Sequence, residues 1–399
     1  MHTLVVNAGS SSVKFTCFGP GPDEVLAQGM VERIGLDGTT LHYQPRVGEA
    51  LHQPVDTNHT GQALRALVER LTDTRHGSLD SPDQVAVVAH RVVHGGEKIN
   101  QPVIIDEAVK AVIREHFALA PLHNPPNLAG IEAAQEVFPG AVQVGVFDTA
   151  FHRTLPAKAY LYALPRRLYE DYRIRRYGFH GISHQYVSRI AAEMLGRQPA
   201  EVNLVTCHLG NGCSITAVQG GRSVDTSMGF TPLEGLVMGT RTGDLDPAIV
   251  IHLMDHHGMS LDQVKDLLNK QSGLLGLSGG RSSDMRDIAA ACQQGDATAQ
   301  GALEVFCYRI KKYLGAYAAA MGSVDAVVFT GGIGENSPLV RQMALEGLAG
   351  LGIVLDHEPN QAPATGARAI HAASSLVSLL VVPTNEEKEM AGQARSLLP

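Results

Sequence analysis

The sequence predicts an α/β protein built of two related halves. Strand-like apolar runs alternate with segments of helical period along the chain. A β-turn-β module near the start, VVNAGSSSVKFTCF, returns about 200 residues later as LVTCHLGNGCSITAV. One repeat spanning half the chain points to duplication rather than a solenoid array. The length, 399 residues, gives two or three domains at about 150 residues each.

The elements follow in order. Thr3–Asn7 and Val13–Phe18 are short strands joined by AGSSS, a hairpin signal. Residues 61–72 place Leu64, Leu67, Val68 and Leu71 on one face, which predicts an amphipathic helix. Val85–Val88 is a strand leading into His90, Arg91 and HGGE. Residues 106–118 are helical, with Val109, Val112, Ile113 and Phe117 in phase. APLHNPPN breaks the chain, and its prolines can open the next helix. Val142–Phe147 is a buried-type strand ending at Asp148. Residues 149–180 have weak periodicity and suit a domain crossing. After the repeated module, residues 301–321 are a long helix, with Leu303, Phe306, Ile310, Leu314 and Tyr317 in phase. Strand Ala326–Phe329 feeds TGGIGEN. The last strand, Leu379–Val382, ends at PTNEE, and a closing helix starts near Glu387.

Composition excludes several classes. Apolar residues make up 44% and charged residues 18%, which fits a compact soluble protein and not a disordered one. The net charge of −8 is spread along the chain, against nucleic acid or an anionic membrane as partner. The five cysteines are odd in number and contain no CxxC, so a reducing compartment is expected and a disulfide scaffold is not. Cys207, His208 and Cys213 lack the second ligand cluster that a metal site needs. MHTLVVNAGS has no basic n-region or long apolar core, so no signal peptide is expected, and Leu376–Val382 is too short to span a bilayer. A cytoplasmic protein is the expectation.

Five small-residue stretches read as turns: NAGSSS, RVVHGGE, HLGNG, SGLLGLSGG and TGGIGE. A Gly-rich turn after a strand lets backbone N–H groups approach a phosphate. Neither a P-loop nor a GxGxxG dinucleotide motif occurs. What remains is phosphate held by hairpin turns from two facing domains. Arg91 and Arg241 lie beside these turns and can grip a carboxylate or phosphate at two points. Asp148, Glu386 and Glu387 follow apolar strands, where a carboxylate can face a cleft and hold magnesium; Glu386 and Glu387 equally suit the first turn of a helix. His180 and His123 sit in Gly- or Pro-flanked places where an imidazole can donate to a moving phosphoryl group.

The ordered set NAGSSSVK, HRVVHGGE, FDTAFH, RRYGFHG, HLGNG, DTSMGFTPLEG, MGTRTGD, SSDMRD, GGIGEN and PTNEE resembles the acetokinase family, within the acetate and sugar kinase/Hsp70/actin superfamily. The resemblance runs from Val5 to about Glu387. It implies two duplicated βββαβαβα domains of the RNase H-like, actin-type ATPase class, with an interdomain cleft. Residues 1–150 plus 387–399 would form the first and 151–386 the nucleotide-binding second. The implied activity is reversible transfer of the ATP γ-phosphoryl to acetate, giving acetyl phosphate and ADP, with Mg2+ (or Mn2+) and a homodimer.

The resemblance also implies roles by motif position. Arg91 and Arg241 would hold acetate and the moving phosphoryl, with His180 on its equatorial oxygens. Asn7 and Glu386 would hold magnesium. Lys14, Ser10 and Ser12 would lie near the phosphates, which His208, Leu209, Gly210, Asn211 and Gly212 would take. Asp284, Met285 and Arg286 would contact adenosine, as would Gly332, Ile333, Gly334, Glu335 and Asn336. Val93, Leu122, Phe179 and Pro232 would line the methyl pocket. Asp148 is described in the family as a catalytic acid or base; because acetate is already ionised, orienting an Arg, a water or magnesium is the more physical role. Arg281 stands where the family is usually apolar or small, which bears on the choice among nucleoside triphosphates. The rival readings are a propionate or butyrate kinase of the same fold, and an ATP-binding module without transferase activity.

Overall fold

The computed structural model describes residues 1–399 apart from Pro22, Asp23, Leu122, Ala364 and Pro399. The chain forms two units, Met1–Arg153 with Asn385–Pro399, and Thr154–Thr384. The crossings therefore fall after Arg153 and after Thr384, and Glu386 stands in the first unit rather than at the end of the second, where it was expected.

The first unit holds β1 (His2–Ala8), β2 (Ser12–Phe18), β3 (Val25–Glu32), β4 (Thr40–Pro45), β5 (Leu51–Pro54), β6 (Val85–Val92), β7 (Val103–Ile104) and β8 (Val142–Phe147). They form one sheet in the order β5-β4-β3-β2-β1-β6-β8-β7. β1 to β5 are antiparallel neighbours, whereas β6 runs parallel to β1 and β8 parallel to β6. The helix Thr60–Leu71 buries the predicted Leu64, Leu67, Val68 and Leu71 against Leu4, Val6, Phe15 and Val31 of this sheet. The C-terminal helix Glu386–Arg395 belongs here too. Arg395 ties it down, donating to Thr3 Oγ1 at 2.9 Å and to the Gly19 carbonyl at 2.7 Å.

The second unit holds β9 (Asn203–Leu209), β10 (Cys213–Gln219), β11 (Arg222–Thr226), β12 (Ala326–Thr330), β13 (Arg368–Ala369) and β14 (Ser378–Val381). Their order is β11-β10-β9-β12-β14-β13. β9 to β11 are antiparallel, and β12 and β14 run parallel to β9. The order β3-β2-β1-β6-β8 of the first unit thus recurs as β11-β10-β9-β12-β14, which is the duplication seen in the sequence. The long helix is Ala297–Met321, capped by Asp296, whose Oδ1 accepts the Thr298 and Ala299 amides; Leu303, Phe306, Ile310, Leu314 and Tyr317 are all buried.

Two expected turns are helical. TGGIGE begins a helix, Gly331–Asn336, and SGLLGLSGG contains the helix Gly273–Leu277. Gly331 makes the bend itself. Its φ is 76°, and a Cβ there would lie 2.8 Å from the Leu209 carbonyl oxygen, so only glycine lets the two loops touch. Because β12 lies beside β9, the HLGNG and TGGIGE loops emerge side by side.

Candidate functional site

Successive residues of β6 point to opposite faces, which separates His90 from Arg91. His90 is buried, its Nε2 lies 2.7 Å from Gln143 Oε1, and burial lowers its pKa to about 4. Arg91 turns to the other face. Its Nη2 donates to Asp148 Oδ2 at 2.9 Å, and its Nε stands 3.8 Å from Glu386 Oε2. That Nε is buried and makes no hydrogen bond. Asp148 follows β8 directly, and its amide donates to the Val92 carbonyl at 2.9 Å, so the parallel pairing of β6 and β8 sets the Arg91–Asp148 contact.

Glu386 opens the C-terminal helix. Burial pushes its pKa up to about 7; Arg91 opposes the shift, while Asp148 and Glu387 add to it. Two carboxylates, Asp148 and Glu386, thus share one guanidinium, with the charge of Glu387 near them, an arrangement that a divalent cation would relieve. Magnesium keeps most of its waters and asks for only one or two protein oxygens, so Glu386 with water suits it. Asn7 lies on β1, in register opposite Lys14 on β2. Among the described residues no group of three or more His, Cys, Asp or Glu side chains forms a metal cluster, and Cys207 and Cys213 are buried thiols raised by desolvation.

The loop after β6 is held by side chains that motif reading passed over. Asn127, buried in the helix Asn124–Val137, accepts the Val93 amide at 3.1 Å and donates to the Ala8 carbonyl at 2.7 Å. Asn124 does the same for His94, accepting its amide at 3.1 Å and donating to its carbonyl at 2.9 Å. The NPPN motif therefore joins the VHGG loop to the end of β1, where the NAGSSS turn begins. Val93 is buried in this arrangement. Leu122 lies outside the described residues. Ser10 is exposed and Ser12 half-buried in the turn, where Gly9 donates to the Ser12 carbonyl. Lys14 lines an open groove of about 410 Å³ on the same sheet, with Thr16, Gln28, His42 and Glu387.

In the second unit His180 takes a left-handed conformation, φ 57°, immediately before the helix Gly181–Met194. Its Nδ1 lies 2.9 Å from Ser214 Oγ on β10, and its ring stacks on His208 with centroids 4.3 Å apart. Arg241 approaches from the 236–244 loop, where its Nη1 donates to the Pro232 carbonyl at 2.9 Å. A Cβ on Gly212 would lie 3.4 Å from His180 Nε2 and 3.7 Å from Arg241 Nη1, so imidazole and guanidinium both flank the HLGNG turn. No carboxylate among the described residues pairs with Arg241, and burial lowers its pKa. A half-buried guanidinium left without an anion is a receptor for one. Phe179 is buried next to His180, and Pro232 is partly exposed.

A cleft of about 950 Å³ opens in the same unit. Gly210, Asn211, Asp284, Met285, Arg286, Gly332, Ile333 and Asn336 line it, all expected nucleotide contacts. Asp284 caps the helix Met285–Gln293 and pairs with Arg286 at 2.6 Å, a hydrogen bond that heads the causes lowering its pKa to about 2. Leu209 is fully buried and offers only backbone, and Gly334 is buried beneath the cleft floor. Glu335 turns inward: its Oε1 accepts the Gly331 amide at 2.9 Å and the Thr384 amide at 3.1 Å. Arg281 is paired with Asp296.

One buried cation escaped the motif reading. Arg341 donates to the carbonyls of Gly334 and Glu335 at 2.8 and 2.9 Å, and to Asn360 Oδ1 at 2.8 Å. It braces the Gly331–Asn336 helix at its carbonyl end, where a cation is favoured.

The sequence profile of the acetokinase family matches residues 2–392. The chain belongs to the acetokinase family. The acetate kinase of Coprothermobacter proteolyticus is 52% identical over 391 residues, spanning 98% of this chain and 97% of that relative. The crystal structure of Porphyromonas gingivalis acetate kinase superposes with a TM-score of 0.95 at 44% identity, covering 100% of both chains. A propionate kinase from Francisella tularensis gives 0.92 at 40% identity, again over 100% of both. The α/β fold of this chain is that of the family.

Proposed function

We propose that this protein is an acetate kinase that transfers the γ-phosphoryl group of ATP to acetate, reversibly, giving acetyl phosphate and ADP. The observation that carries the reading is the meeting of His180 and Arg241 at Gly212 of the HLGNG turn, with no carboxylate among the described residues paired to Arg241. That is a cationic seat for a phosphoryl group beside a nucleotide-sized cleft. Arg91 would grip the acetate carboxylate, as the resemblance implies, with Asp148 holding its guanidinium in orientation.

An acetate oxygen bonds to the γ-phosphorus as the bond to the β,γ-bridging oxygen breaks, and the electron pair leaves with ADP. Acetate is ionised at neutral pH, so no proton is removed from it and Asp148 acts by orienting Arg91. Charge spreads over the equatorial oxygens of a loose transition state, where Arg241 and His180 neutralise it. Glu386 and Asn7 would hold magnesium, which would supply positive charge against the phosphates. Val93, Phe179 and Pro232 would shape the methyl pocket.

The site would act within a homodimer. The helix Ala248–His257 buries no residue, and Ile249 and Ile251 are exposed on it, an apolar surface that a second copy would cover. Five free thiols suit a reducing, cytoplasmic setting, and no helix among the described residues is long and apolar enough to cross a membrane.

The test is hydroxamate trapping of acyl phosphate from acetate, ATP and magnesium. Coloured hydroxamate that requires all three is the expected result. Acetate-independent ATP hydrolysis as the main activity would overturn it.

A further inference from the structure

Two hydroxyl groups with no part in the chemistry above, those of Ser183 and Thr384, lead to the His208 ring of the HLGNG turn. Ser183 is fully buried near the start of the helix Gly181–Met194. Its Oγ lies 2.8 Å from His208 Nδ1 and 2.8 Å from Thr384 Oγ1. Thr384 in turn donates its amide to Glu335 Oε1, the oxygen that also takes the Gly331 amide. Thr384 is the last residue of the second unit, and Glu386 follows two positions later. Contacts and chain continuity thus join the His208 ring, the first turn of the GGIGEN helix and the crossing.

A serine hydroxyl between an imidazole nitrogen and a second hydroxyl runs in one of two directions. When Thr384 donates to Ser183 and Ser183 donates to His208 Nδ1, the ring proton sits on Nε2. The reverse direction leaves Nε2 bare. Nε2 faces the turn, 3.9 Å from where a Cβ on Gly210 would stand. Beside phosphate oxygens an Nε2–H donates, whereas a bare lone pair repels. A bound polyphosphate therefore selects the first direction.

We propose that Ser183 and Thr384 are positioning residues: their hydroxyl bridge holds His208 as the Nε2–H tautomer toward the nucleotide phosphates and anchors that ring to the crossing segment. This rests on the ATP reading of the second unit's turn and cleft.

Histidine-selective 15N NMR of the full chain tests it, with His208 assigned through His208→Gln. With ADP present, His208 should show the Nε2–H pattern, and Ser183→Ala should turn it into a tautomer mixture. The same variant should lose on the order of tenfold in kcat/KM for ATP, with KM for acetate unmoved. Thr384→Val should reproduce both changes, and Thr384→Ser, which keeps the hydroxyl, should restore them. The double variant Ser183→Ala/Thr384→Val should be no worse than Ser183→Ala, since one bridge is lost in each. Unchanged tautomer and unchanged ATP kinetics in Ser183→Ala, or full additivity in the double variant, overturn the proposal. If Ser183→Ala does not fold, Thr384→Val against Thr384→Ser decides the matter. Should the unaltered protein make no acyl hydroxamate, the kinase reading fails, while the ring tautomer without nucleotide still reports whether the bridge exists.

Discussion

Arg91 Nη2 donates to Asp148 Oδ2 at 2.9 Å, across the ends of two parallel strands, and the carboxylate receiving it is 1% exposed. A buried carboxylate in that position cannot reach out to a substrate, but it can aim the guanidinium proposed to do so. Asp148→Asn keeps the shape and removes the charge. Acetate turnover should fall on the order of 100-fold through loss of orientation, with the fold intact by thermal melting. Near-full turnover with unchanged magnesium dependence would remove Asp148 from both the orienting and the metal-side roles.

Magnesium dependence should carry the signature of Glu386. Burial raises this carboxyl to about 7, so near neutrality it is partly protonated, and a cation bound there as proposed would displace that proton. The apparent magnesium constant should weaken as pH falls from about 8 to about 6, by up to tenfold for each pH unit below the pKa. Glu386→Gln should flatten this slope. Magnesium titrations of hydroxamate formation at fixed ionic strength check it.

Acyl-chain preference should answer to Val93. This side chain is buried, and its amide is held by Asn127. Val93→Ala should raise the propionate-to-acetate ratio of kcat/KM about tenfold, since one methylene is worth roughly 1–3 kcal/mol. A wild-type protein that prefers propionate would move the reading to the activity of the Francisella relative.

Acid should weaken the first unit through His90. Its folded-state pKa is depressed to about 4 from 6.5. The unfolded chain therefore binds more protons between those values, and stability is lost as pH falls from 6.5 towards 4, then levels off. The loss from this residue is on the order of 3 kcal/mol. Denaturation midpoints at pH 7 and pH 5 should converge in His90→Gln relative to the unaltered protein.

Much of the fold was legible because apolar spacing is local. The stripe Leu64, Leu67, Val68 and Leu71 announced its helix, and the paired β-turn-β modules announced two like sheets. β3 and β5 carried a weaker signal, the one interrupted by Gln28 and Gly29 and the other only four residues long, whereas β4 does alternate, with Leu41, Tyr43 and Pro45 buried. The helix Gly181–Met194 hid for the opposite reason: its buried face includes Ser183, His184 and Ser188. The segments bearing Arg91, His180 and Arg241 were visible from glycine and arginine chemistry alone.

What spacing could not reveal were the partners. Asn127 reaches a carbonyl 119 residues away, and Ser183 meets Thr384 across 201. Arg341 shows as one more basic residue until two carbonyls and Asn360 close around it. Periodicity and turn chemistry are properties of neighbours along a chain. A buried hydrogen bond between distant segments exists only once both are packed, because desolvation, which makes an unpaired polar group costly, acts only in the folded interior.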